Sequence, residues 1–252
     1  MIKGRLRQLA VVLSAGAMLA TNLLLGGGGG GLDDEGSRGM YDAFPTAFSP
    51  APLTFAVWGP IFLGAVVLAI YQALPSLRHD RTLDRLGLPL VASYLLNAAT
   101  PFTPIGVSNV VILALFVTLC AAYWIASRDG DLSLARTWAV RVPISLLTTW
   151  IGLATVLNSA QLAVSCGVAV GPLKAAVLIA LAGAAGAVVI VRFSDLAVAS
   201  VVGWALYGIV IARPGAHPVP VAATISGTVI AIAAAYAAHA MIVNRLWVRK
   251  GA

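Results

Sequence analysis

The sequence predicts an all-α integral membrane protein of about eight transmembrane helices, and three observations carry that expectation. Of the 252 residues, 60% are hydrophobic and only 10% charged, where a soluble domain carries about 25% charged residues. The apolar residues come in repeated runs of about 20, the length a helix needs to cross the hydrocarbon core, and the ten-residue alternating strands of a membrane barrel do not occur in the sequence. The Lys and Arg residues fall in short clusters between those runs. A net charge of +7 would suit nucleic acid, but charge confined to segments between apolar runs serves membrane orientation and argues against a nucleic-acid partner.

Helix one is expected from about Gln8 to Leu25, after Lys3, Arg5 and Arg7. A basic start and an apolar stretch also describe a secretory leader, but this run is long enough to span, so it is read as a retained helix. Six glycines, Gly26–Gly31, and the acidic Asp33-Asp34-Glu35 then open a long connection to about Leu53. No Lys-Ser/Thr follows the glycines, so they read as a flexible linker and not as a phosphate loop. Helix two covers Thr54–Leu74, stopped by Pro75, and helix three Leu86–Thr100, stopped by Pro101. Helix four covers Val107–Ser127, and helix five Thr137–Gln161 with Pro143 in its first turns. Helices six to eight are Leu173–Val191, Leu196–Ala212 and Val219–Val243, the first and last rich in alanine. Small residues let helix backbones approach closely in lipid. They suit tight packing within the chain, with a homodimer or a larger membrane complex as the alternative. Cys120 falls in an apolar run and Cys166 in a loop, which is neither a disulfide nor a metal spacing.

With the amino terminus cytoplasmic, eight helices return the carboxyl terminus to the same side. Only Arg38, Lys174 and Arg213 of the sixteen Lys and Arg residues then lie outside, a strong positive-inside bias. Trp124, Trp138 and Trp247 fall at the inner boundary, where an aromatic belt belongs. Both termini are therefore expected in the cytoplasm, with the bacterial inner membrane as the location.

The spans lack the ionisable residues that ion-coupled transporters keep in their path. His239 alone among the three histidines falls within a span, near its inner end, and reads as a packing residue. No Ser-His-Asp set or paired intramembrane carboxylates point to an enzyme. What the spans do contain is amide and aromatic: Asn22, Trp58, Asn97, Trp150, Asn158, Gln161, Trp204 and Tyr207. The helix directions put Asn22, Trp58, Asn97 and Asn158 about one turn below the outer surface. On helix five, Trp150, Ala154 and Asn158 recur at spacings of four and share a broad face, with Trp150 roughly 12 Å deeper than Asn158. Asn side chains in hydrocarbon need partners and serve equally as packing glue between helices. Together with the long loop, the set reads as a neutral pocket near the outer leaflet formed by Trp58, Phe62, Asn97, Trp150, Ala154 and Asn158. It would suit a flat, largely apolar ligand held by stacking and amide hydrogen bonds.

At these residues the chain resembles the tryptophan-rich sensory protein family, also called the translocator protein or TspO/MBR family. Pro50-Ala-Pro-Leu-Thr-Phe-Ala-Val-Trp58 resembles its proline-rich loop and Trp-bearing helix start, and Tyr94-Leu-Leu-Asn97 its third-helix element. Pro143 to Trp150, followed by Ala154 and Leu157-Asn158, is similar to its fifth-helix signature, with Ile144-Ser145 in place of the family's Tyr and Phe62 where Tyr is frequent. The resemblance covers about residues 8–165. It implies a five-helix core, residues 1–165, whose first loop, residues 26–53, forms a lid, followed by a three-helix extension over residues 166–252. It also implies binding of porphyrins, haem-type tetrapyrroles or other apolar ligands, sterols included in some members. Two alternatives stay open: an accessory structural subunit of a larger membrane complex, and a facilitator of apolar solute transport.

Overall fold

A computed structural model of the chain describes residues 3–25, 44–131, 133–215 and 217–250, with 244–250 by backbone alone. The long helices are α1 (Gly4–Leu25), α2 (Trp58–Ala73), α3 (Arg81–Ala99), α4 (Ile105–Ser127), α5 (Leu134–Ser165), α6 (Pro172–Phe193), α7 (Leu196–Ala212) and α8 (Pro218–Lys250). Among the described residues there is no strand. Among the described residues, six helical segments are long and apolar enough to cross a membrane: α1, α2 with the turn before it, α4, α5, α6 and α8. α7 is apolar but shorter, at 17 residues, and α3 carries Arg81, Asp84 and Arg85 in its first turns. All eight expected helices are present, as a multi-pass all-α membrane protein requires.

Several boundaries move, each for a local reason. α3 starts at Arg81 and not at Leu86, because the Asp80 side chain accepts the Leu83 N–H at 2.8 Å and caps the helix. α1 starts at Gly4, which puts Arg5 and Arg7 inside the helix and not before it. Residues 52–57 form a 3-10 turn and the α-helix begins at Trp58. α5 begins at Leu134 and contains a π-turn over Thr137–Arg141. Pro143 has no N–H and its ring crowds the carbonyl four residues back, and the wide turn lets the Val142 N–H reach the Thr137 carbonyl instead. Gly64 of α2 lies against Pro143, where an added Cβ would come within 3.2 Å of the ring. Residues 26–43, most of the expected lid, lie outside the described residues.

The chain divides into two units: Met1–Pro45 with Phe55–Gly167, and Thr46–Thr54 with Val168–Ala252. In the first unit the helices close a ring, each touching two neighbours in the order α1, α2, α5, α4, α3 and back to α1. One end of it is polar. Arg7, 1% exposed, donates to Asp84 at 2.8 Å, to the Leu77 carbonyl at 2.8 Å and to the Gln72 carbonyl at 3.3 Å. Gln8 and Gln72 exchange side-chain-to-carbonyl hydrogen bonds between α1 and α2, both at 3.1 Å. Arg136 grips both Asp80 oxygens and Asp129. Burial pushes the Asp80 carboxyl up, but the Arg136 guanidinium and the Leu83 N–H outweigh it and hold the carboxyl below its ordinary value. In the sequence Arg7 and Arg136 belong to the basic clusters flanking the spans; in the structure both are buried.

In the second unit α8 packs on α6 and α7, which also touch each other. A Cβ added to Gly183 of α6 would lie 2.7 Å from the Ser226 Cβ of α8, so the small residues are used for close backbone approach. The segment 46–54 is pinned in the same unit. The Ala51 N–H donates to the Gly208 carbonyl at 3.0 Å, the Trp204 Nε1–H to the Thr54 carbonyl at 2.7 Å, and Arg213 to the Thr46 carbonyl at 2.6 Å. Trp124 and Trp138 are exposed, with the Arg128 guanidinium 3.8 Å above the Trp124 ring. Cys120 and Cys166 are free. His239 is exposed on α8 and not packed as expected: α8 buries its alanines, Ala233 and Ala237, and turns His239 away.

Candidate functional site

The site begins where the proline-rich loop becomes α2. The 3-10 turn carries Phe55 inward, and Trp58 opens the helix with Phe62 one turn along the same face. Trp58 stacks on Phe62 at 5.1 Å between ring centroids and 26° between planes. Trp150 of α5 meets both the turn and the helix edge-on: 5.8 Å and 89° to Phe55, 6.2 Å and 81° to Trp58. Edge-to-face and offset-stacked pairs of this kind each contribute about 0.5–1.5 kcal/mol beyond their buried area. The edge-on contacts join α2 and the turn before it to α5. Trp58 and Trp150 are buried and Phe62 is half-buried.

The amides separate. Asn97 of α3 accepts from the Asn22 Nδ2–H of α1 at 2.9 Å, and Asn22 also donates to its own Met18 carbonyl at 2.8 Å. This pair ties two helices together, so the interhelical-glue role fits Asn97. Asn158 donates to the Ala154 carbonyl one turn back, at 2.8 Å, while Ala154 is half-buried beside it. The structure therefore brings Trp58, Phe62 and Trp150 into one cluster, leaves Ala154 and Asn158 further along α5, and gives Asn97 a partner on α1.

Two residues outside the six selected from sequence matter here. Phe55 completes the aromatic cluster, and its place three residues before Trp58 in the loop motif was the available signal. Gln161 is fully buried, and neither its Oε1 nor its Nε2 has a hydrogen-bond partner among the described residues. It follows Asn158 by three positions and Trp150 by eleven, which at 100° per residue returns it to within about 20° of the Trp150 direction. The side of α5 that bears Trp150 thus ends, roughly 16 Å further along the axis, in an unsatisfied amide. Trp204 and Tyr207, the other aromatic candidates of the spans, belong to the second unit, where Trp204 holds the loop carbonyl of Thr54 and Tyr207 is exposed.

Long apolar helices, five of the chain's helices closing a ring in the first unit, define a multi-pass integral membrane protein. The sequence pattern of the family described as TSPO-like protein matches residues 8–242, and the chain belongs to that family. The match runs past residue 165 and takes in α6, α7 and α8 as far as Ile242. Comparison with the curated proteins and with the solved structures finds no match.

Proposed function

We propose that the chain is a ligand-binding, sensor-like membrane protein whose first unit holds a flat, largely apolar ligand of the tetrapyrrole class. The aromatic edges of Phe55, Trp58, Phe62 and Trp150 supply its stacking surface, and the amides of Asn158 and Gln161 supply its polar partners. Ala154 supplies the space between them, and Asn97, tied to Asn22, holds α1 against α3 beside it. On this proposal both termini face the cytoplasm, at a bacterial inner membrane, in keeping with the charge bias.

The observation that carries it is Gln161. A buried amide with both polar atoms unpaired costs about 1–3 kcal/mol or more, and a chain keeps such a group where something outside its own side chains satisfies it. Sharing a side of α5 with Trp150 makes a ligand with an apolar face and a polar edge the fitting partner.

The test is a titration of the purified protein, in neutral detergent, with protoporphyrin, following tryptophan emission. Saturable quenching is expected. Trp150→Phe lowers its amplitude, and Gln161→Leu weakens the apparent affinity about tenfold, the worth of one hydrogen bond to a buried group. Quenching that is absent, or identical in wild type and both variants, refutes the site.

A further inference from the structure

In the first unit, α1 and α2 form an open hollow whose lining includes none of the aromatic cluster. It is an open trough of about 410 Å3 between Val12, Ala15, Gly16 and Leu19 of α1 and Val66 to Ala73 on one side of α2, ending at Leu74 and Pro75. Its walls are apolar, and Gly16 forms part of the floor, with no atom within 4 Å of where a Cβ would stand. Leu13 and Ile70 flank it and are exposed. From Val12 to Leu19 the trough runs about 10 Å along α1, most of the depth of one leaflet of a hydrocarbon core about 30 Å thick.

The end of the trough is not apolar. The stripe Leu19, Gly16, Val12 continues at helical spacing through Gln8 to Arg5, which is exposed. On the α2 side the chain passes Leu74 and Pro75 into Arg78, whose Nε lies 3.8 Å from the position a Cβ would take on Gly4, next to Arg5. That Nε is buried without a hydrogen-bond partner among the described residues. The neighbouring carboxylates are already engaged, Asp84 by Arg7 and Asp80 by Arg136. Lys3 and Arg81, both exposed, stand at the same end. An apolar trough most of a leaflet deep, with cations near its end that have no counter-charge of their own among the described residues, is complementary to one class of occupant.

We propose that the α1–α2 trough is a site for an anionic phospholipid, with one acyl chain along Gly16 and the headgroup phosphate between Arg5 and Arg78. Basic pockets between membrane helices take anionic headgroups through the same charge complementarity, and the bilayer delivers the lipid to the trough in the required orientation. The proposal does not depend on the ligand proposed for the aromatic cluster.

The test uses the full chain in neutral detergent, delipidated and titrated separately with phosphatidylglycerol, phosphatidylcholine and inorganic phosphate, with bound lipid read by native mass spectrometry. Phosphatidylglycerol is expected to bind at one per chain and more tightly than phosphatidylcholine, with inorganic phosphate failing to displace it. Arg5→Gln with Arg78→Gln should weaken phosphatidylglycerol about 30-fold, at roughly fivefold per cation removed, and leave phosphatidylcholine unchanged. Gly16→Leu fills the trough in open space, so it should fold normally by circular dichroism and weaken both lipids. Equal binding of the two lipids, displacement by inorganic phosphate alone, or unchanged binding in either variant overturns the proposal.

Discussion

Replacing Arg7 with Met keeps a long, flexible chain in α1 but removes its charge and its donors. Arg7 and Asp84 are 2.8 Å apart, with side-chain exposures of 1% and 13%. Without the guanidinium, the Asp84 carboxylate keeps only the Gly4 N–H, at 3.3 Å, from this contact. The Leu77 carbonyl loses its 2.8 Å donor and keeps the Asp80 N–H at 3.2 Å, while the Gln72 carbonyl retains Gln8. Removing one partner of a buried pair costs about 3–5 kcal/mol, because the other charge stays buried and uncompensated. At 2–4 °C per kcal/mol, that lowers the unfolding midpoint by roughly 6–20 °C. The measurement is thermal unfolding in neutral detergent of Arg7→Met, Asp84→Leu and the double variant. The double variant should lose less than the sum of the two single losses, since it leaves no unpaired charge, although the hydrogen bond lost at the Leu77 carbonyl keeps it below wild type. A loss for Arg7→Met within about 1 kcal/mol of wild type, as for an exposed pair, or additive losses in the double variant, would refute the buried latch between α1 and α3.

Gly183→Ala forces a Cβ to 2.7 Å from that of Ser226 and should cost about 1–3 kcal/mol of stability. Gly203→Ala in α7 meets nothing within 4 Å and should be tolerated; equal behaviour of the two in the same unfolding assay removes the close α6–α8 approach. Asp80 gives a pH dependence of defined sign. Its folded-state carboxyl titrates below the unfolded value of 3.8, so its stabilising contribution is complete above that value and is lost as pH falls through the folded one. The stability gap between wild type and Asp80→Asn should therefore narrow on acidification below about pH 4, and a gap that stays constant from pH 7 to pH 3 contradicts the Arg136 pairing.

Much of the candidate site was legible because its markers are local. Trp58 sits at a proline-set helix start and Trp150 one face along α5, and the edge-on contact between them follows from where α2 and α5 meet. The amides were not legible in the same way. Asn97 and Asn158 stand on comparable motifs, yet Asn97 turns to Asn22 and Asn158 to its own helix. That choice depends on a few tens of degrees of helix rotation, which a linear pattern does not record. Gln161 differs from them by having no partner at all among the described residues, a property that exists only once the neighbouring helices are in place.

The chain by itself determined how many helices there are, about where each lies and that they belong in a membrane, because run length, proline stops and charge placement are written residue by residue. Only the tertiary structure decided that Arg7 is a buried latch, that residues 46–54 are held by Trp204 and Arg213 of the second unit, and that an apolar trough opens between α1 and α2 and ends at Pro75. Each of these depends on pairing between helix faces far apart in the chain. The same arginine is a topology signal in one dimension and a desolvated ion-pair partner in three, and the difference is set by which helix packs beside it.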